Sequence, residues 1–96
     1  MTQKIVINTD FGGFGLSDQA LDLYKILSGI PPITDIYYWE IPRDNAILVQ
    51  IVEQLGDRAG GEYSSLKVIE IPDGVEWHIH EYDGMEHIAE NHRTWR

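Results

Sequence analysis

Four histidines and sixteen carboxylates supply most of the reactive side chains of this 96-residue sequence, which has no cysteine. His78 and His80 lie two apart in Val75-Glu76-Trp77-His78-Ile79-His80, where apolar and polar residues alternate. On a strand that spacing turns both imidazoles to one face, an arrangement able to supply two zinc ligands. His87, Glu76 or Glu86 could add a third. The set has no closed spacing such as H-E-x-x-H, so the commoner meaning is two solvent-facing histidines among carboxylates. His92 falls in register with Met85, Ile88 and Ala89 on a helical repeat and reads as a half-buried structural group. No metal or other cofactor is expected.

A second candidate is Phe11-Gly12-Gly13-Phe14-Gly15, which links an apolar strand to a helix start. Backbone N–H groups at such a junction can cradle a phosphate, and Gly12, Gly13 and Gly15 with Arg93 and Arg96 would make a nucleotide-binding set. The spacing matches neither G-x-G-x-x-G nor the P-loop, and Asp10 and Asp18 flank it with the wrong charge. A glycine turn needed for close strand–helix packing is the simpler reading.

Carboxylate pairs such as Glu81 with Asp83, or Glu86 with Glu90, are expected by chance in so acidic a chain. A triad drawn through Ser64 or Ser65 has no support in spacing. No catalytic motif is present, and the chain reads as a non-enzyme. The distribution of charge is more informative. The net charge is −9, yet the segment Glu70 to Glu90 holds seven acids and no Lys or Arg. The other nine acids face all seven bases. Glu76, Glu81, Asp83, Glu86 and Glu90, with the aromatic Tyr82, are expected to form one acidic edge. Such a surface keeps a small protein soluble. It also complements the Arg and Lys of a basic partner and steers rapid association with it. The same charge opposes direct binding to nucleic acid or an anionic membrane. Tyr37, Tyr38, Trp39, Trp77 and Trp95 exceed what a small core hides, which suits an interface with a partner or with a second copy.

These groups need a scaffold. Ninety-six residues with 43% hydrophobic and 24% charged side chains make one globular domain, residues 1–96. No apolar run approaches the roughly 20 residues of a membrane span, and no signal-peptide pattern opens the chain. Lys4 to Asn8 reads as a buried strand. Ser17 caps a helix over 18–27 that ends at Gly29, with Leu16 and Leu21 as a hydrophobic staple. Its polar stripe is confined to Asp18, Asp22 and Lys25, so most of its circumference is expected to be covered. Ile36 to Glu40 reads as an aromatic strand. Asp44 caps a helix over 45–55 whose Ile47, Leu48, Ile51, Val52 and Leu55 form a buried stripe. Leu66 to Ile71 and Val75 to Tyr82 read as strands of a hairpin turned by Pro72-Asp73-Gly74, followed by a short C-terminal helix. The expected fold is α+β, order β-α-β-α-β-β-α, with a mixed four-stranded sheet.

With these elements placed, the chain resembles a family of small proteins from bacteriophages and prophages. The resemblance is carried by Lys4-Ile5-Val6-Ile7-Asn8, Gly12-Gly13-Phe14-Gly15-Leu16-Ser17, Ile41-Pro42-Arg43-Asp44, Leu66-Lys67-Val68-Ile69-Glu70-Ile71-Pro72-Asp73, Glu81-Tyr82-Asp83-Gly84, Ile88-Ala89-Glu90 and His92-Arg93-Thr94-Trp95. It implies a phage or prophage origin and action inside a bacterial cell. The expectation is a cytoplasmic inhibitor of a host protein with a basic surface, such as a nucleic-acid-handling defence complex, in the manner of an anti-CRISPR protein.

Overall fold

A computed structural model describes residues 2–90. Strand β1 (Thr2–Asn8) is followed by helix α1 (Asp18–Ser28), a 3-10 turn at Tyr38–Glu40, helix α2 (Ala46–Leu55), a second 3-10 turn at Gly56–Arg58, and strands β2 (Leu66–Pro72), β3 (Trp77–Tyr82) and β4 (Met85–Glu90). The α+β class is as the sequence indicates. The single mixed sheet is not: β1 pairs antiparallel with β2, and β3 pairs antiparallel with β4, as two separate two-stranded sheets.

Strand β1 is buried on both faces, which explains its run of β-branched residues. Val6 belongs to the cluster built by Leu16 and Ala20 of the α1 region, Ile41, and Leu48, Val49, Ile51, Val52 and Leu55 of α2. From β2, Leu66 and Val68 pack on that same cluster. Lys4 points to this side too, reaching Glu53 of α2 at 2.9 Å. That carboxylate raises the pKa of the Lys4 ammonium above its ordinary value, by hydrogen bonding first and by charge second. Ile5 and Ile7 alternate to the opposite face and are also buried, outside the helix-side cluster. Gln3 shares their face, donates to the carbonyls of Pro72 and Val75, and accepts from Trp77 Nε1. The β3–β4 hairpin therefore covers this face. The layers run helices, β1–β2, then β3–β4.

Helix limits follow their caps. Ser17 Oγ accepts from the Ala20 amide at 3.1 Å and donates to the Arg58 carbonyl, so it starts α1 and ties it to the 3-10 turn after α2. Gly29, with φ +71°, closes α1 in the left-handed conformation. Helix α2 is capped by Asn45, not Asp44: its Oδ1 accepts from the amides of Ile47 and Leu48.

Three expectations at the strand level are corrected. Ile36 to Glu40 is not a strand. Prolines on both sides isolate it, and Tyr37 and Trp39 stack on each other at 4.8 Å, both exposed. The turn at Pro72-Asp73-Gly74 does not join paired strands but carries the chain from one sheet to the other. The hairpin turn is instead Asp83-Gly84, flanked by the pair Tyr82 and Met85. Both turn residues have positive φ, 51° and 86°, the type I′ geometry that matches strand twist. Residues 85–90, expected to begin a helix, are consequently a strand. The remainder of that expected helix, with His92 and Trp95, lies outside the described residues.

Gly84 and Gly74 separate conformation from contact. Each has φ near +85°, but a Cβ on Gly84 would overlap the Phe11 carbonyl, whereas none would meet anything at Gly74. Gly74→Ala should cost about 1 kcal/mol, the left-handed penalty alone. Gly84→Ala should cost at least about twice that by urea unfolding. Equal losses would contradict the docked turn.

Candidate functional site

Two regions far apart in sequence meet at one end of the molecule. The backbone of the hairpin turn at Gly84 lies against Phe11–Gly13 of the glycine loop. The third participant is the loop after α2: the position of a Cβ on Gly12 is occupied by Tyr63. Ser64 Oγ donates to the Gly13 carbonyl at 2.6 Å, and the Gly61 amide donates to the Gly15 carbonyl at 3.0 Å. The glycines serve close approach between chain segments. Gly12 and Gly15 are engaged by the 60–65 loop, and Gly13, with φ +87°, faces open space. Arg93 and Arg96, the cations of the nucleotide reading, lie outside the described residues.

Beneath this end sits a buried polar network. Asn8, fully buried at the end of β1, uses its whole amide. Its Nδ2 donates to the carbonyls of Asp10 and Gly84 at 2.6 and 2.7 Å, and its Oδ1 accepts from the amides of Asp10 and Ser65. It thus bonds to all three loops. The Asn8 backbone amide donates to Glu86 Oε1 at 2.9 Å. Glu86 is also gripped by both terminal guanidinium nitrogens of Arg43, with Nη2 to Oε2 at 2.9 Å. Arg43 in turn lies 3.6 Å over the ring of Phe14, and its carbonyl accepts from the Val6 amide. Asn8 and Arg43 carried no functional reading in the sequence. The available signal was an amide directly after the apolar run Ile5-Val6-Ile7; Arg43, next to Asp44 in sequence, carried none.

Glu86 is therefore separated from the acidic edge expected of it. Its carboxylate is buried and neutralised. Glu76, Glu81, Asp83 and Glu90 are exposed, as is Tyr82. They do not share one face. Register places Glu81 and Glu90 with Trp77, Ile79, Glu86 and Ile88 on the inner face, and Asp83 in the turn. The outer face carries His78, His80 and Tyr82 opposite Ala89, His87 and Met85. His80 and His87 are direct cross-strand partners with ring centroids 4.9 Å apart, edge to face. His78 lies on the same face, but among the described residues no three His, Asp or Glu side chains gather as a metal site.

The exposed side chains around the junction are aromatic and acidic. Phe11, Tyr63 and Tyr82 are 63, 68 and 72% exposed. Asp10, Glu62, Glu81 and Asp83, their immediate chain neighbours, are exposed as well. Large aromatics rimmed by carboxylates suit guanidinium groups, which stack on rings and bond carboxylates in a bidentate fashion. Fold and site together describe a small three-layer α+β domain that presents an acidic, aromatic end on a docked hairpin. No family model, curated protein or solved structure matches the chain.

Removal of Arg43 should leave Glu86 as an uncompensated buried charge. Arg43→Ala should destabilise by about 3 kcal/mol or more. Arg43→Ala with Glu86→Gln should recover part of that loss, because Gln keeps an acceptor for the Asn8 amide and removes the charge. A double variant no more stable than Arg43→Ala, by denaturant unfolding, would show the pair is not the hairpin's anchor.

Proposed function

We propose that this protein is a non-enzymatic binding protein whose acidic, aromatic end engages an arginine- and lysine-rich surface of a partner protein. The carrying observation is that the three segments whose backbones meet here carry, at or beside the meeting point, the highly exposed Phe11, Tyr63 and Tyr82 and their exposed chain neighbours Asp10, Glu62, Glu81 and Asp83. Each feature supplies what tight binding to a basic surface needs. The rings offer desolvated contact area with few rotatable bonds. The carboxylates orient incoming cations and accelerate encounter. The network of Asn8, Glu86 and Arg43 fixes the loops, so little ordering is left to occur on binding.

A basic surface of this kind is characteristic of proteins that hold nucleic acid, whose phosphates the carboxylates would displace. The reading is therefore of a phage-type inhibitor that occupies the nucleic-acid groove of a host defence complex in the bacterial cytoplasm. Glu76 and Glu90 lie at the end of the hairpin away from the turn, Glu90 opposite Trp77, and stand apart from this surface. Among the described residues no helix is long and apolar enough to cross a membrane.

The test compares wild type with Glu62→Lys/Glu81→Lys/Asp83→Asn, which spares the buried Glu86 and keeps at position 83 a residue suited to its positive φ. Wild type immobilised in bacterial lysate should retain a nucleic-acid-binding protein that excess nucleic acid releases. The triple variant should bind that purified protein at least about tenfold more weakly, with unchanged circular dichroism. Equal affinity of the two would contradict the proposed surface.

A further inference from the structure

The sequence of α1 leaves only a narrow polar stripe, yet the fold leaves part of its apolar surface uncovered. Ile26 is 71% exposed and Ile33, in the following loop, 93%. Leu27 is exposed as well. Ile26 stands as a ridge between two hollows. One, of about 500 Å³, lies toward α2 between Gln19, Asp22, Leu23, Ile26, Gln54 and Leu55. The other, of about 300 Å³, lies toward the next loop between Asp22, Lys25, Ile26, Ile30 and Pro32. Asp22 and Ile26 line both.

We infer that this face of α1 is the interface of a symmetric dimer, its occupant a second copy of the same chain. The argument is self-complementarity in charge and in shape. A two-fold axis brings the same patch of each copy together, so whatever the patch carries must suit itself. Asp22, exposed, and Lys25, half-buried with its Nζ donating to the Pro32 carbonyl at 3.1 Å, are neighbours on α1, one acid and one base. When two such helices cross in opposite directions, Asp22 of each copy meets Lys25 of the other. The ridge at Ile26 is likewise flanked by hollows that accept the second copy's Ile26, ridge into groove. The local charges of Asp22 and Lys25 cancel, although the molecule carries −9 and its acids concentrate in the hairpin. A partner with a strongly basic surface fits the acidic end; a patch that sets an acid beside a base and exposes an isoleucine fits a copy of itself. Two copies would also present two acidic ends to a repetitive or two-fold partner, raising its avidity.

Sedimentation equilibrium of the purified protein, with no partner present, tests this apart from the proposed function. Mass should rise with concentration from 11.0 kDa toward twice that value. Ile26→Asp should remain monomeric while keeping its circular dichroism. Asp22→Lys alone and Lys25→Asp alone should each weaken association at least about fivefold, and the combined swap should restore it. A wild type that stays monomeric into the millimolar range would overturn the inference, leaving the face to some other occupant. So would an Ile26→Asp protein that still dimerises, or a combined swap as weak as the single changes.

Discussion

The contact between Arg43 and Glu86 is the charged link between the two halves of this structure, beside the bonds from Asn8 to Gly84 and from Trp77 to Gln3. The β1–β2 sheet and both helices share one apolar cluster, while the β3–β4 hairpin lies on the other side of β1. A two-stranded hairpin is marginal by itself in water. Its inner face offers Trp77, Ile79 and Ile88, all only half-buried. A bidentate ion pair gives this docking a direction and a register that those side chains alone do not specify. Glu86 can be buried because Arg43 and the Asn8 amide satisfy both of its oxygens. It also stands opposite Glu81, a like-charged pair that Arg43 makes tolerable.

That anchor explains the shape of the candidate surface. Holding Glu86 brings the turn at Gly84 down on Phe11–Gly13, and Asn8 locks the same three loops from beneath. The exposed aromatics and carboxylates then stand on a fixed base. An acidic hairpin tethered only by its chain would lose much of its binding free energy in becoming ordered. The outer face, with His80 against His87, is part of this same rigid arm.

Elements with local signals were legible in the sequence. The Ser17 cap, the Gly29 stop, the stripe of α2 and the apolar run of β1 depend on neighbours within a turn or two, and each stands close to where those signals put it. The errors concern pairing over distance. Residues 36–40 have the aromatic content of a strand, but no partner edge is offered to them. Met85, Ile88 and Ala89 fit a helical repeat as well as a strand, and such short apolar patterns do not discriminate. The Asp83-Gly84 dipeptide was the stronger signal, since it favours the type I′ turn that fixes both strands. Of the acids at the junction, Glu81 and Asp83 belong to the segment that charge alone singles out, whereas Asp10 and Glu62 do not. That Glu86 of the same segment turns to Arg43, 43 residues away, is a long-range pairing that composition does not carry. The meeting of the glycine loop with the hairpin turn was hidden for the same reason.

The most direct test is a residue-resolved map of where a basic ligand lands. Titration of a nine-residue arginine peptide, followed by amide chemical shifts, should perturb Asp10–Phe11, Glu62–Tyr63 and Glu81–Asp83 first and most. Asp18, Asp22, Glu40 and Asp57, acids of equal formal charge elsewhere on the chain, should respond weakly. Perturbations spread evenly over all exposed acids, or centred away from the junction of the three loops, would contradict the account.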